Sequence, residues 1–243
     1  MGGHGDAAPS DSQSRLYPRR PVHHGGMTAD NSTRPTCTTR DILIEQLDWH
    51  WTNQLRPRLD GLTDDEYLWE PVADAWSVRP GADASDGGPG DLASPTAANP
   101  AAVNPTAVNP TAPTTIDFAF PPPDPAPVTT IAWRMAHVIV GCLGARLANH
   151  FGGPAVDYGT FEYSLTAGGA LAQLDEAYAA WIGALHSLDD AALSLPVGPT
   201  EGPWAEHSMG TLIAHINREV IHHGAEIALL RDLYAHRDTL GAD

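Results

Sequence analysis

The sequence predicts an all-α fold: a four-helix bundle with a disordered N-terminal tail and a long low-complexity loop between helices 1 and 2. Four long stretches carry apolar residues at helical spacing. Little of the remaining sequence alternates apolar and polar residues as a half-buried strand does. Two other stretches are rich in Gly, Pro and polar residues and contribute little to a core. The 243 residues therefore favour one bundle domain with additions.

Residues 1–36 are predicted to be a disordered tail, because they are rich in Gly, Ser, Asp and Pro and lack hydrophobic periodicity. Residues 37–243 are predicted to be the bundle domain. A flexible insertion at 81–127, rich in Pro, Ala and Asn, interrupts it, and an Asn-Pro pair recurs there every five residues from 99 to 110. Proline at this spacing is incompatible with a regular helix or a central strand.

Helix 1 is predicted to begin at Thr38 or Thr39, either of which can cap it, and to end at Gly61. Pro57 is expected to kink the last turns or to end the regular part. A capping-box pattern at 63–66 then opens a short helix over residues 67–69.

Helices 2 and 3 are predicted over residues 129–150 and 165–188. Both have apolar residues at helical spacing, and helix 2 is followed by a Gly-Gly-Pro sequence that cannot continue it. A Gly/Pro-rich loop at 196–204 precedes helix 4, so the connections between the helices are long enough to leave the bundle topology open.

Helix 4 is predicted over residues 211–234 and carries unusual chemistry. Imidazoles and carboxylates fall within an arc of roughly 100° on it: His215, Glu219, His222, His223 and Glu226. The pairs Glu219/His223 and His215/Glu219 have the i,i+4 spacing at which two side chains can bind one divalent metal. A single pair of this kind binds no metal in most helices, so a third ligand from another helix is required.

His137 is the best-placed third ligand, because it lies in the middle of helix 2. A histidine among apolar neighbours is more often a hydrogen-bonded core residue than a ligand. If His137 joins Glu219 and His223, the site has three protein ligands and an open position. That is the pattern of catalytic rather than structural metal sites.

The charge and cysteine content restrict the partners and the compartment. The net charge is −17, and all 13 basic residues are Arg. An acidic chain without a basic patch argues against binding to nucleic acid or to an anionic membrane surface. Cys37 and Cys142 do not form a disulfide framework, so a reducing cytoplasm is expected. Neither a secretory signal nor a run of about 18 apolar residues is found, so no membrane span is expected.

Three stretches resemble the DinB-like superfamily of four-helix bundles, which includes mycothiol-dependent maleylpyruvate isomerase and related thiol transferases. They are LTDDEYLWEPVADAWSVRP (62–80), TIAWRMAHVIVG (130–141) and HINREVIHHGAEI (215–227). The resemblance implies that His137, Glu219 and His223 bind a divalent metal, which would be zinc, with nickel and iron as alternatives. Many members have His in the middle position, and Glu219 resembles the mycothiol-using branch. The register favours His223 over His222, which stays an alternative.

The resemblance also implies a function. The expected activity is metal-dependent S-transfer from a thiol, mycothiol, to a small electrophile, or a thiol-assisted isomerisation, in detoxification or stress response. The alternatives are a non-catalytic metal-binding bundle of the same fold and a bundle whose histidines bind no metal. The expected partners are the thiol and the electrophile, with no nucleic acid or membrane, and a homodimer is left open.

Overall fold

The computed structural model describes residues 37–81, 114–119, 121 and 123–240, so the predicted disordered tail lies outside the described residues. The helices, in chain order, are α1 (39–58), α2 (Asp64–Tyr67), α3 (Ile131–Phe151), α4 (Ala167–His186), α5 (Asp190–Leu193) and α6 (Met209–Ala235). Short 3₁₀ segments occupy Pro199–Trp204 and Arg237–Thr239. Predicted helices 1 to 4 correspond to α1, α3, α4 and α6, which confirms the all-α prediction.

The four long helices pack as a bundle in which α1 contacts α4 and α6, and α3 contacts the same two helices. Their start points follow from side-chain caps. Thr38, Thr130, Thr166 and Ser208 each accept a hydrogen bond from a backbone N–H of the first turn. Each cap satisfies one of the donors that a helix start leaves free, so local sequence determines where each helix begins.

The short helix α2 begins earlier than predicted. Thr63 caps it by accepting a hydrogen bond from the backbone N–H of Glu66, so Asp64 is its first residue and Tyr67 its last. The prediction of helix over 67–69 is therefore correct only for Tyr67. The capping pattern correctly indicated a helix here, but the helix begins at the residue that follows the Thr63 cap rather than four residues after it.

The prediction of a flexible insertion at 81–127 does not hold for residues 114–116. Strand β1 (Val78–Pro80) pairs antiparallel with strand β2 (Thr114–Ile116). This Pro-free segment consists of three β-branched residues, which favour extended backbone. The Asn-Pro repeat lies outside the described residues.

Helices α1 and α3 each contain a π-helical segment, at Trp51–Leu55 and His137–Gly144. In α1 this wider turn directly precedes Arg56–Arg58, so the helix continues one residue beyond Pro57 before it ends. In α3 the π segment begins at a predicted ligand. Such segments are frequent at functional sites.

The core is formed by side chains from all four long helices. Fully buried residues include Leu47, Met135, Leu143, Trp181 and Ile216. The stretch Ile131–Phe151 is long and apolar enough to cross a membrane by length and composition alone, but 61% of it is buried inside the bundle. Packing on both α4 and α6 in the core accounts for its apolar composition.

Trp181→Ala is expected to lower the free energy of unfolding by about 3–5 kcal/mol, because it leaves a large cavity in the core. Trp181 is 0% exposed, whereas Trp49 is 48% exposed. Trp49→Ala is the matched control and should change the free energy by less than about 1 kcal/mol. Urea unfolding followed by circular dichroism measures both, and equal losses would contradict this core.

Candidate metal centre

His137 lies on α3 and faces α6. Its ring stacks on Trp133, one turn earlier, with ring centroids 5.4 Å apart and an angle of 10° between the planes. It meets the ring of His223 edge-on, at a centroid distance of 4.6 Å. The packing of α3 on α6 therefore brings two histidines together that lie far apart in the sequence.

Glu219 completes a group with these two histidines. The ligand atoms of His137, Glu219 and His223 all lie within 4.8 Å of one another. Within α6, the Glu219 Oε2 atom is 3.5 Å from His223 Nε2, as the i,i+4 spacing requires. The structure thus brings together the three residues that the sequence selected, and we call them the His/Glu triad.

Both histidines of the His/Glu triad have a partner at Nδ1. The hydroxyl of Tyr158 is 2.5 Å from His137 Nδ1, and Glu226 Oε2 is 2.6 Å from His223 Nδ1. With Nδ1 donating to these oxygens, Nε2 of each ring is left with a free lone pair. Metal-binding histidines have this support, because the second hydrogen bond fixes the tautomer and the orientation of the ring.

Further contacts hold the partners of the two histidines in place. Arg134 on α3 forms an ion pair with Glu226, with Nε and Oε2 3.1 Å apart. Its guanidinium is therefore engaged in an ion pair between α3 and α6. Trp133, besides stacking on His137, donates from Nε1 to the carbonyl of Asp117 at 2.8 Å. These bonds connect the site to both the bundle and the segment after β2.

Gly141 lets the Tyr158 hydroxyl approach α3. A Cβ at position 141 would lie 2.0 Å from that hydroxyl and 3.1 Å from His137 Nδ1. Any larger residue would therefore displace Tyr158. Neither residue stands out in the sequence, because Tyr158 lies in the loop after α3 and Gly141 offers no chemistry of its own.

Burial keeps both imidazoles neutral. It lowers the pKa of His137 to about 3, and the nearby His223 and Arg134 add to the shift. Burial also lowers the pKa of His223, although the hydrogen bond with Glu226 opposes this. Neutral imidazole is the form that binds metals, so these groups need no deprotonation at neutral pH.

His222 points away from the His/Glu triad. Its side chain is 61% exposed, whereas that of His223 is 9% exposed. His222 Nε2 lies 3.4 Å from Glu226 Oε1, and these two residues with His223 form a second possible ligand group on α6 alone. Of the two neighbouring histidines, His223 is the one that meets His137.

His215, the other histidine considered from spacing, lies on the opposite side of Glu219 from His223. Its Nδ1 is 3.4 Å from Glu219 Oε1, and its side chain is 42% exposed. His50 on α1 pairs with Gln54 through Nδ1 at 2.9 Å. Neither belongs to the ligand groups found among the described residues.

A family model for the DinB superfamily matches residues 46–227, three quarters of the chain. The chain belongs to the DinB superfamily. No curated protein and no solved structure matches it significantly. The DinB superfamily generally binds metals, and two neutral imidazoles with one carboxylate suit a divalent transition metal.

Alanine at His137, Glu219 or His223 is expected to abolish stoichiometric metal binding, because each removes one of three ligands. His222→Ala should leave it intact. Elemental analysis of the full chain, purified without a His-tag, measures this. Every variant also carries alanine at the tail histidines, so that these cannot contribute a signal: His4, His23 and His24. Loss of metal in His222→Ala, with retention in His137→Ala and Glu219→Ala, would show that the group on α6 alone is the site.

Tyr158→Phe is expected to weaken metal binding by about 10–100-fold, because it removes the acceptor that orients His137. Competition with a chelator of known affinity measures the change. Tyr178→Phe is the matched control: the Tyr178 hydroxyl donates to Asp48 at 2.8 Å, and this bond touches none of the three ligands. An unchanged affinity in Tyr158→Phe would contradict the supporting role.

Proposed function

We propose that the protein is a divalent-metal-dependent enzyme that transfers a low-molecular-weight thiol, mycothiol, to a small electrophile, or uses it to isomerise one. The observation that carries this proposal is the His/Glu triad with a supporting oxygen at both Nδ1 atoms. Structural zinc sites close their coordination with four protein ligands, whereas three protein ligands leave a position for an exogenous molecule.

The chemistry follows from what these residues can do. His137, Glu219 and His223 would hold a divalent metal, and its positive charge would lower the pKa of a thiol enough to favour the thiolate near neutral pH. Glu226 accepts from His223 Nδ1 and so holds that imidazole in the tautomer that presents Nε2, and the Tyr158 hydroxyl orients the ring of His137 through Nδ1. Glu219 contributes one negative charge, so the site is less positive than one with three histidines. Zinc is the proposed metal, and nickel or iron fits the same ligands.

Among the residues that the structure describes, neither cysteine is a suitable nucleophile at this site. Burial, helped by the charge of Glu219, raises the pKa of Cys142 to about 12, so this thiol stays protonated at neutral pH. Cys37 is exposed just before α1 and is not a member of the ligand groups found among the described residues. This supports a small thiol cosubstrate as the nucleophile. Two free cysteines also agree with the reducing cytoplasm that we propose as its compartment.

The test is turnover by the full chain loaded with zinc, nickel or iron. Mycothiol, cysteine and glutathione are each paired with a chromogenic aryl halide and with monobromobimane, and the adduct is quantified. We expect metal-dependent adduct formation, fastest with mycothiol. It should be abolished in Glu219→Ala and retained in His222→Ala.

The outcomes separate the proposal from its alternatives. Stoichiometric metal without turnover by any thiol would favour a non-catalytic metal-binding bundle. Absence of metal after incubation with all three ions would overturn both readings. Equal turnover in Glu219→Ala and in the parent chain would show that the reaction does not use this site.

A further inference from the structure

A cavity of about 540 Å³ lies beside the His/Glu triad, between α3, α6 and the loop that connects α5 to α6. Its ionisable lining consists of Arg146 from α3, Glu201 and His207 from the loop, and His215 and Arg218 from α6. The volume falls within the range of roughly 300–1,000 Å³ in which proteins bind small molecules.

The cavity has an excess of cationic over anionic groups on an otherwise acidic protein. Two arginines face a single carboxylate there, whereas the whole chain has 30 acidic and 13 basic residues. That carboxylate, Glu201, is buried and already engaged: Arg146 Nη2 lies 3.3 Å from it and His150 Nε2 lies 2.9 Å from it. Glu201 therefore offers little repulsion to an incoming anion.

The guanidinium groups keep hydrogen-bonding capacity. Arg146 donates from Nη1 to the carbonyl of Gly141 at 2.7 Å and from Nη2 to Glu201. These two hydrogen bonds use fewer than the five N–H donors of a guanidinium. Arg218 has a side chain that is 70% exposed; its Nη2 lies 3.6 Å from the Glu219 carboxylate and 2.5 Å from His215 Nδ1. Its remaining N–H groups stay available to an incoming anion.

The rest of the lining is apolar. Val197, Leu212 and Ala214 contribute aliphatic surface, and Trp204 lies with 55% of its surface exposed. The Trp204 ring meets His207 edge-on at 5.2 Å, so it has a defined position. A flat aromatic surface next to arginines suits an organic anion better than a fully hydrated inorganic one.

The cavity also adjoins the His/Glu triad. His215 and Arg218 both reach Glu219, at 3.4 and 3.6 Å. On α3, Arg146 holds the carbonyl of Gly141, the residue whose missing side chain lets Tyr158 support His137. A molecule bound in the cavity would therefore touch side chains that themselves contact Glu219.

We propose that this cavity binds a small organic carboxylate with an apolar or aromatic body, held by Arg146 and Arg218, and that this is the electrophilic substrate. The assignment as substrate rests on the proposed function, whereas the binding itself does not. Arginine is suited to this role because its planar fork matches the two oxygens of a carboxylate.

Calorimetric titration of the full chain with phenylacetate, phenylacetamide and inorganic phosphate tests the proposal, first after removal of metal by a chelator and then with zinc. We expect phenylacetate to bind in both states, and phenylacetamide to bind at least about tenfold more weakly because it lacks the charge. Arg218→Gln should weaken phenylacetate about three- to tenfold and leave phenylacetamide unchanged. Trp204→Ala should weaken both.

Two controls separate local from general effects. Arg237→Gln removes a charge near the end of α6, where Arg237 lies over the Tyr234 ring, and should not change binding. Arg146→Lys retains the charge but loses the fork, and should weaken phenylacetate. Arg218 is largely exposed, unlike Arg146, so Arg218→Gln is expected to fold. It therefore tests the proposal even if Arg146→Lys fails to fold.

Several results would overturn the proposal. These are no phenylacetate binding up to about 10 mM, equal binding of phenylacetamide, or no effect of Arg218→Gln. Phosphate bound as tightly as phenylacetate, and with the same dependence on Arg218, would indicate a simple anion site. Phenylacetate binding only with zinc would place the carboxylate on the metal. Because the first titration needs neither metal nor turnover, failure of the transferase activity and failure of this site remain distinguishable.

Discussion

The packing of α3 against α6 is the constraint on which the rest of the site depends. It places two histidines edge-on at 4.6 Å within an apolar bundle. A buried polar group left without a partner costs about 1–3 kcal/mol, so each ring needs hydrogen bonds that do not come from helix packing alone. Tyr158 and Glu226 supply them. The supporting residues thus follow from burying two imidazoles in one place.

This support extends outward along each helix. Arg134 holds Glu226, which holds His223, so one ion pair between α3 and α6 also orients a ring. On the other side, the absence of a side chain at Gly141 admits Tyr158 to His137. In the low dielectric of the interior such networks are strong when complete and costly when incomplete. A substitution at one of these positions is therefore expected to change the orientation of the ligand atoms.

Helix α6 serves two neighbouring features because of its periodicity. Glu219 and His223, four residues apart, face α3. His215 and Arg218, three residues apart and one turn earlier, line the cavity. Glu219 is the link, since it lies within reach of both pairs. An acidic chain can in this way present a cationic cavity beside a carboxylate-containing site without a basic surface.

The sequence by itself determined the four long helices, most of their caps and the Glu219/His223 pair, because spacing and capping act within a few residues. His137 was selected by its place in the middle of helix 2 and by the family resemblance, and the packing of α3 on α6 brings it to that pair. Only the tertiary structure decided the remainder. The pairing of 114–116 with 78–80, the approach of Tyr158 over Gly141 and the cavity around Arg146 join residues far apart in the chain. No local pattern encodes such contacts, because they arise from how helices and loops pack together.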